Sequence, residues 1–297
     1  MALSIVWAGS PANQLEYALA ADGSGQTTLS STGITAPRGL AVDGTNEVVY
    51  WSDNTDDTVI KIGFDGTGQT TILTSGGAGI DVCQNLAVDE TNSKLYFSDK
   101  DGVDFRLRKC DLDGSNVEGV FAAGLNNVQS FALDVAAAKI YYEDNGTEIH
   151  VADIADGGND ATLFNNATDG LSLVQDIALD IPNSHIYMVD QTTKKVQRGD
   201  FDGVAALTDL SAEDGAPHGI ALDLTGSRMY ILSSLGQTIR GMDLDGSNDG
   251  TIFAGDLLLM STVRLMDIGG ATGRKTFWGP WFHLAGPGGS FGQSLPK

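Results

Sequence analysis

A short motif, an apolar residue followed by alanine, a second apolar residue and aspartate, recurs five times along the chain. The copies end at Asp43, Asp89, Asp134, Asp180 and Asp223, so the spacings are 46, 45, 46 and 43 residues. A tyrosine follows each aspartate seven residues later. A period in the low forties, built from short apolar runs, is typical of a β-propeller in which each repeat makes one blade.

Each repeat reads as four short strands. In residues 38–73, strands are predicted at 39–42, 48–53, 59–64 and 69–73, because β-branched and aromatic residues alternate there between turn residues. Asp65 and Gly66 close a hairpin, since glycine accepts the positive φ that tight turns require. The same Asp-Gly turn recurs at 22–23, 113–114, 202–203 and 245–246. No helical period is present, which excludes helix-based repeats.

The two ends of the chain complete the blade count. Segments 5–8, 15–19 and 27–29 match the second, third and fourth strands of a blade that has no first strand. Segment 263–267 supplies one, because Asp267 lies 44 residues after Asp223. The sequence therefore predicts an all-β fold: a six-bladed propeller of four-stranded antiparallel blades in residues 1–270, closed by pairing the N- and C-terminal strands, with a C-terminal extension at 271–297.

These motifs resemble a known repeat. Segments 50–53 (YWSD) and 96–99 (YFSD), with the DLDGS runs at 111–115 and 243–247, are similar to the YWTD repeat, the class B repeat of low-density lipoprotein receptors and nidogen. Later copies drift to YYED, YMVD and YILS at 141–144, 187–190 and 230–233. The resemblance covers residues 1–270 and implies a six-bladed propeller. It does not imply receptor function, since no cysteine-rich module follows the repeats.

The charge balance excludes some partners. The chain has 39 acidic and 17 basic residues, a net charge of −22. A surface this acidic repels nucleic acid and anionic membranes. No apolar run is long enough to span a membrane, and residues 1–7 start directly on a strand without a basic leader, so we expect cytosolic synthesis without a signal peptide. Cys83 and Cys110 are expected at opposite ends of their blade and therefore unpaired.

The recurring residues are expected to be structural. A residue found at one position in every blade serves the blade, so the aspartates should accept backbone N–H groups in the following turn. The tyrosines should pack between blades. The DLDG segments resemble the start of a calcium loop but lack its remaining oxygen ligands and its terminal glutamate. We interpret them as hairpin turns.

Function in a repeat fold is expected where the copies disagree. The residues four and five positions before each first-strand aspartate differ from blade to blade, and six blades would place them around one mouth of the central channel. The binding candidates at this mouth are Arg38, Gln84, Asn85, Gln129, Gln175, Asp176 and His218. Ser130 shares this level, together with Gly39, Gly219, Thr262 and Val263.

The channel-mouth residues do not form a catalytic pattern. Six-bladed gluconolactonases hold a divalent metal at this face with several carboxylates, whereas only Asp176 is acidic here. His218 has neither an orienting acid nor a nucleophile motif. We therefore predict no catalytic residue, no cofactor and no metal. A metal-dependent hydrolase or lyase, the alternative enzyme hypothesis, would require Asp176, Asn85 and His218 to converge.

The tail 271–297 differs from the propeller. It has three basic residues, five aromatic residues and no acidic residue. We interpret it as a strap that docks on an acidic partner or a second copy. The residues expected to make this contact are Arg274, Lys275, Phe277, Trp278, Trp281 and Phe282. The simpler alternative is that residues 276–278 lie over the seam where the ring closes. The preferred function is a non-enzymatic structural and recognition module of a larger assembly, such as a virion surface or tail. The alternative is a secreted or cell-surface adhesion domain.

Overall fold

A computed structural model describes residues 3–9, 13–78, 80–81, 83–101, 104–121, 124–212, 215–255 and 263–267. These residues form six four-stranded antiparallel sheets, each of which is one blade. The first strands of neighbouring blades contact each other in a closed ring around a central channel. The predicted six-bladed propeller is therefore confirmed.

The strands are given blade by blade, from the channel outward. Blade 1 contains β24 (Val263–Asp267), β1 (Leu3–Gly9), β2 (Gln14–Leu19) and β3 (Thr27–Ser30). Blade 2 contains β4 (Pro37–Asp43), β5 (Val48–Asp53), β6 (Thr58–Gly63) and β7 (Thr70–Thr74). Blade 3 contains β8 (Asn85–Asp89), β9 (Lys94–Asp101), β10 (Asp104–Asp111) and β11 (Glu118–Gly119).

The other three blades repeat this order. Blade 4 contains β12 (Phe131–Asp134), β13 (Lys139–Asp144), β14 (Glu148–Asp153) and β15 (Ala161–Asn165). Blade 5 contains β16 (Val174–Asp180), β17 (His185–Asp190), β18 (Lys195–Asp200) and β19 (Thr208–Ala212). Blade 6 contains β20 (Pro217–Asp223), β21 (Arg228–Ser233), β22 (Thr238–Asp243) and β23 (Gly250–Ala254).

The ring closes through the two ends of the chain. Strand β24 pairs antiparallel with β1, with Leu3 opposite Asp267 and Trp7 opposite Val263. The C-terminal strand is therefore the inner strand of the N-terminal blade, as the repeat count predicts. Pairing of this kind covers the inner edge of β1 and ties residues more than 250 positions apart into one sheet.

Among the described residues, the helical content is confined to short segments. The two α-helices are α1 (Ser75–Ala78) and α2 (Asn166–Asp169), and a 3-10 turn covers Ile181–Asn183. Within the part of the chain that the structure describes, no helix is long and apolar enough to cross a membrane.

The hydrophobic core is divided into six clusters, one between each pair of neighbouring blades. Between blades 2 and 3, Tyr50 packs with Leu86 and Phe97. The repeated tyrosines are thus inter-blade residues, as predicted. Cys83 and Cys110 lie in this same cluster as buried free thiols.

The repeated aspartates hold the backbone. Asp43 accepts hydrogen bonds from the backbone N–H and the side-chain amide of Asn46, at 2.9 and 2.7 Å. The aspartate that ends the second strand of a blade binds the segment that leads into that blade. In blade 2, Asp53 accepts a hydrogen bond from the backbone N–H of Ala36 at 2.9 Å. Asp144 and Asp190 bind their linkers in the same way. The structural interpretation of the first-strand aspartates is confirmed.

The Asp-Gly turns also contact the neighbouring blade. A sixth such turn, at 156–157, completes the set in blade 4. At five of the six glycines, an added β-carbon would lie within 3.3 Å of a backbone carbonyl oxygen in the preceding blade's outer strand. Those glycines, with positive φ throughout, are Gly23, Gly66, Gly114, Gly203 and Gly246.

Candidate functional site

The central channel has two ends. The upper mouth is the end where each first strand begins, and the lower mouth is the end where each first strand finishes at the repeated aspartate. All of the predicted binding residues lie at the start of first strands, and therefore at the upper mouth. Arg38 is exposed and Gln84, Gln129, Gln175 and His218 are half-buried, whereas Asn85, Ser130 and Asp176 are buried.

Two of the candidates, Asn85 and Asp176, join Ser130 and an arginine in a closed ring of hydrogen bonds across the channel. The Asn85 side-chain amide donates to the Ser130 hydroxyl at 3.1 Å, and that hydroxyl donates to Asp176 Oδ1 at 2.7 Å. Arg264 completes the ring by donating from Nη1 to Asp176 Oδ2 at 2.9 Å and from Nη2 to Asn85 Oδ1 at 3.3 Å. Four blades contribute to this ring network.

Arg264 reaches across its neighbours to make these contacts. It belongs to blade 1, yet its partners are in blades 5 and 3, so its side chain passes blades 6 and 2. At the level of the ring network those two blades carry Gly219 and Gly39. Neither glycine has a side chain that could meet Arg264. At Gly39 a β-carbon would lie 2.8 Å from the α-carbon of Asn85, so glycine also allows blades 2 and 3 to approach closely there.

The Asp176 carboxylate is saturated by donors. Besides Ser130 and Arg264, it accepts the backbone N–H groups of Ile177 at 3.1 Å and Ile220 at 3.0 Å. A carboxylate with four donors, one of them a cation, has no lone pair directed at a metal. Among the described residues, no group of three or more His, Cys, Asp and Glu side chains has the geometry to hold a metal ion.

His218 lies apart from the ring network. Its Nε2 is 2.6 Å from the side-chain nitrogen of Gln191, which lies in the turn after β17. Burial, and secondarily the charge of Arg38, lowers the pKa of His218 below its usual value. The convergence of His218 with Asp176 and Asn85 that a metal-dependent enzyme would require is not observed: Arg264 binds these two residues instead.

Glu143 lies directly beneath the upper mouth. It occupies the third position of the YYED segment, where blades 2 and 3 carry Ser52 and Ser98. Its side chain is fully buried and accepts backbone N–H groups from Gln129, from Ser130 at 3.2 Å and from Gly146 at 2.6 Å. It therefore fixes the backbone that presents Gln129 and Ser130 to the channel.

We expect Glu143 to make the stability of the propeller depend on pH. Burial raises its pKa to about 8, against the effect of the three N–H donors. Because the pKa in the folded state lies above that in the unfolded state, the stabilisation is complete below about pH 4.5 and is lost as the pH rises through 8. The free energy of unfolding should fall by about 3 kcal/mol between pH 6 and pH 9. Urea unfolding across this range measures it.

Glu143→Gln is the control for this pH dependence, because glutamine does not titrate. Its free energy of unfolding should change little over the same range. Equal slopes for the two proteins would show that another group is responsible.

Sequence reasoning missed Arg264 and Glu143. Each of them differs from the residues at the same position in other repeats, and this difference is visible in the sequence. The position of Arg264 is Leu, Phe or Ile in the other five blades, and that of Glu143 is serine in the two best-matched repeats. Comparing the copies three positions before the aspartate, and at the third YWTD position, would have found them.

Comparison with known proteins agrees with the six-bladed fold. The nidogen propeller in the crystal structure of a nidogen/laminin complex has a TM-score of 0.77 and 19% identity, and the match covers 89% of this chain and 98% of that chain. The low-density lipoprotein receptor-related protein 5-like protein of Homo sapiens is 22% identical over 184 residues, which are 60% of this chain and 67% of that protein. This chain is a six-bladed YWTD propeller.

Other relatives share less with this YWTD propeller. Protein cueball of Drosophila willistoni is 28% identical over 142 residues, which are 44% of this chain but only 22% of the cueball sequence. TolB from Acinetobacter baumannii has a TM-score of 0.68 at 13% identity, over 89% of this chain and 66% of that chain, and so shares the fold alone. No protein-family model matches the chain.

Proposed function

We propose that this YWTD propeller is a non-enzymatic recognition module that binds a protein partner at its upper mouth. The observation that carries this proposal is the ring network. It closes the channel just below the mouth and leaves Arg38, Gln84, Gln129 and Gln175 as a shallow polar rim. A substrate would need a deep pocket with unoccupied catalytic groups. A polar rim over a rigid floor suits contact with a protein surface.

The setting that we propose is a larger assembly, such as the surface or tail of a virion. The tail 271–297 would anchor the propeller there. Its candidate anchor residues Arg274, Lys275, Phe277, Trp278, Trp281 and Phe282 all lie outside the described residues. The acidic propeller and the basic, aromatic tail are chemically complementary, which supports docking of the tail on a copy or a partner of similar acidity.

A secreted or cell-surface adhesion domain is the second candidate. It is favoured by the relative whose name is receptor-related, which matches 60% of this chain. Mass spectrometry of purified particles and of the medium from the source organism distinguishes the two settings. The virion setting predicts the chain in the particles, and the adhesion setting predicts it at the cell surface or in the medium.

Partner binding at the upper mouth is tested with one charge reversal on each face. The bait proteins are the full chain, Arg38→Glu at the upper mouth and Lys94→Glu near the lower mouth, used for capture from source material with quantitative mass spectrometry. We expect a partner that the full chain and Lys94→Glu retain and that Arg38→Glu loses about tenfold, equivalent to about 1.4 kcal/mol.

Two results would contradict the proposal. One is capture of the same proteins in equal amounts by Arg38→Glu and Lys94→Glu. The other is turnover of a lactone or ester by the full chain when a divalent metal is added, because that would restore the hydrolase hypothesis.

A further inference from the structure

Below the ring network the channel widens into an apolar chamber of about 180 Å³. The residue two positions before the repeated aspartate lines the wall of this chamber in every blade. It is alanine in five blades and Leu265 in blade 1. Leu and Val side chains one position further on line the lower mouth: Val42, Val88, Leu133, Leu179 and Leu222. Arg264 closes the chamber from above, so access is from the lower mouth.

We propose that, as long as the tail is not docked on an assembly partner, this chamber receives an aromatic side chain from the chain's own C-terminal segment, residues 277–282. Strand β24 finishes at Asp267, at the lower mouth, and Phe277 follows ten residues later. Ten residues are enough to leave the mouth and turn back into it. Because the segment is tethered at the opening, its effective concentration there is of the order of millimolar.

The size and chemistry of the chamber fit an aromatic ring. An apolar cavity of about 150 Å³ binds benzene, and this chamber is slightly larger. Segment 277–282 carries four aromatic residues in six positions. Rings left in water would be unfavourable, and the chamber offers the nearest apolar surface to them.

Charge on the lower face supports the same occupant. The turns between third and fourth strands all lie on this face and carry ten aspartates: Asp22, Asp65, Asp111, Asp113, Asp153, Asp156, Asp200, Asp202, Asp243 and Asp245. Hydrogen bonds from the residue two positions later hold the pKa of Asp22, Asp65 and Asp113 below the usual range. The tail brings Arg274 and Lys275 and no acidic residue. Asp111, Asp153, Asp200 and Asp243 already pair with Lys94, Lys139, His185 and Arg228. The other six aspartates would attract the tail to this face.

The first test uses tryptophan fluorescence of the full chain. Trp7 and Trp51 are fully buried, so a change in acrylamide quenching reports on Trp278 and Trp281. Ala178→Phe fills the chamber and should expel the segment, raising the quenching constant about twofold because two of the four tryptophans enter water. Ala137→Phe, at an exposed position outside the chamber, is the control and should leave quenching unchanged.

The second test uses benzene as the probe and does not depend on Ala178→Phe folding. In the full chain, Phe277, Trp278, Trp281 and Phe282 are replaced by serine. Benzene should raise the Tm of this variant by about 2–4 °C. It should not stabilise the unsubstituted chain or Phe291→Ser, the control in the same tail, because their chambers are filled.

Three results would overturn the proposal. Equal stabilisation of the unsubstituted chain and the four-serine variant by benzene would show that the chamber is vacant. Absence of any benzene effect, together with unchanged quenching in Ala178→Phe, would show that the segment lies elsewhere. A dimer that the four serines convert to a monomer would show that the segment occupies a second copy.

Discussion

Replacing Arg264 with methionine should lower the free energy of unfolding by about 3–5 kcal/mol. The substitution removes the only cation bound to Asp176 among the described residues, and the Asp176 side chain is 2% exposed. A buried carboxylate without its counter-charge is one of the most destabilising defects a core can contain. Urea unfolding with an unchanged m-value would measure the loss.

Arg228→Met is the matched control for Arg264→Met. Arg228 also binds an aspartate, Asp243 at 3.2 Å, but both side chains are 32% exposed. Water and salt screen such a pair, so its removal should cost less than about 1 kcal/mol. Similar losses in the two variants would mean that the ring network contributes no more than a surface ion pair.

A second substitution separates lost charge from lost packing. Asp176→Asn in the Arg264→Met background removes the unpaired charge and should recover part of the stability. No recovery would assign the effect to packing of the arginine side chain in the channel rather than to its charge.

Gly114→Ala should lower the free energy of unfolding by about 3 kcal/mol, with two contributions. Gly114 has φ +88°, which costs an L-residue about 1–2 kcal/mol. A β-carbon there would also lie 2.0 Å from the backbone oxygen of Ile72 in the preceding blade. Backbone cannot move aside as a side chain can, so overpacking adds about 1–3 kcal/mol.

Gly68→Ala is the control for the second contribution. Gly68 has a similar φ of +69°, but a β-carbon there would have no atom within 4 Å. Only the conformational cost of about 1 kcal/mol should remain. If chemical unfolding finds the same loss in both variants, the contact between the turn and the neighbouring blade does not constrain the propeller.

The fold was accessible from the sequence because its information is local and repeated. The spacing of Asp43, Asp89 and the later copies predicted the blade length, and segment 263–267 predicted ring closure. The Asp-Gly turns were also predicted, from the φ that a tight hairpin needs. That Gly114 must in addition make room for the backbone of another blade was not visible, because no local pattern encodes the blade that packs against it.

The upper mouth was only partly predictable. Asn85 and Asp176 were selected because the copies disagree at their positions. His218 was selected by the same rule, but the structure pairs it with Gln191 rather than with the ring network. Arg264 is not among the candidates because only the positions four and five before the aspartate are compared, and Arg264 lies three before Asp267. A role shared between copies can be read from alignment of the repeats, whereas a contact between particular copies cannot.

The sequence by itself therefore determined the blade, the number of blades and their closure. The blade and the number follow from periodicity, and closure follows because the first strand missing from the N-terminal blade is found at 263–267. Tertiary structure alone decided which side chains meet in the channel. Arg264 and Asn85 are 179 residues apart, and Arg264 and Asp176 are 88 apart. They come together because closing the ring brings six first strands to one axis, where a long side chain from one blade can reach two others across the channel.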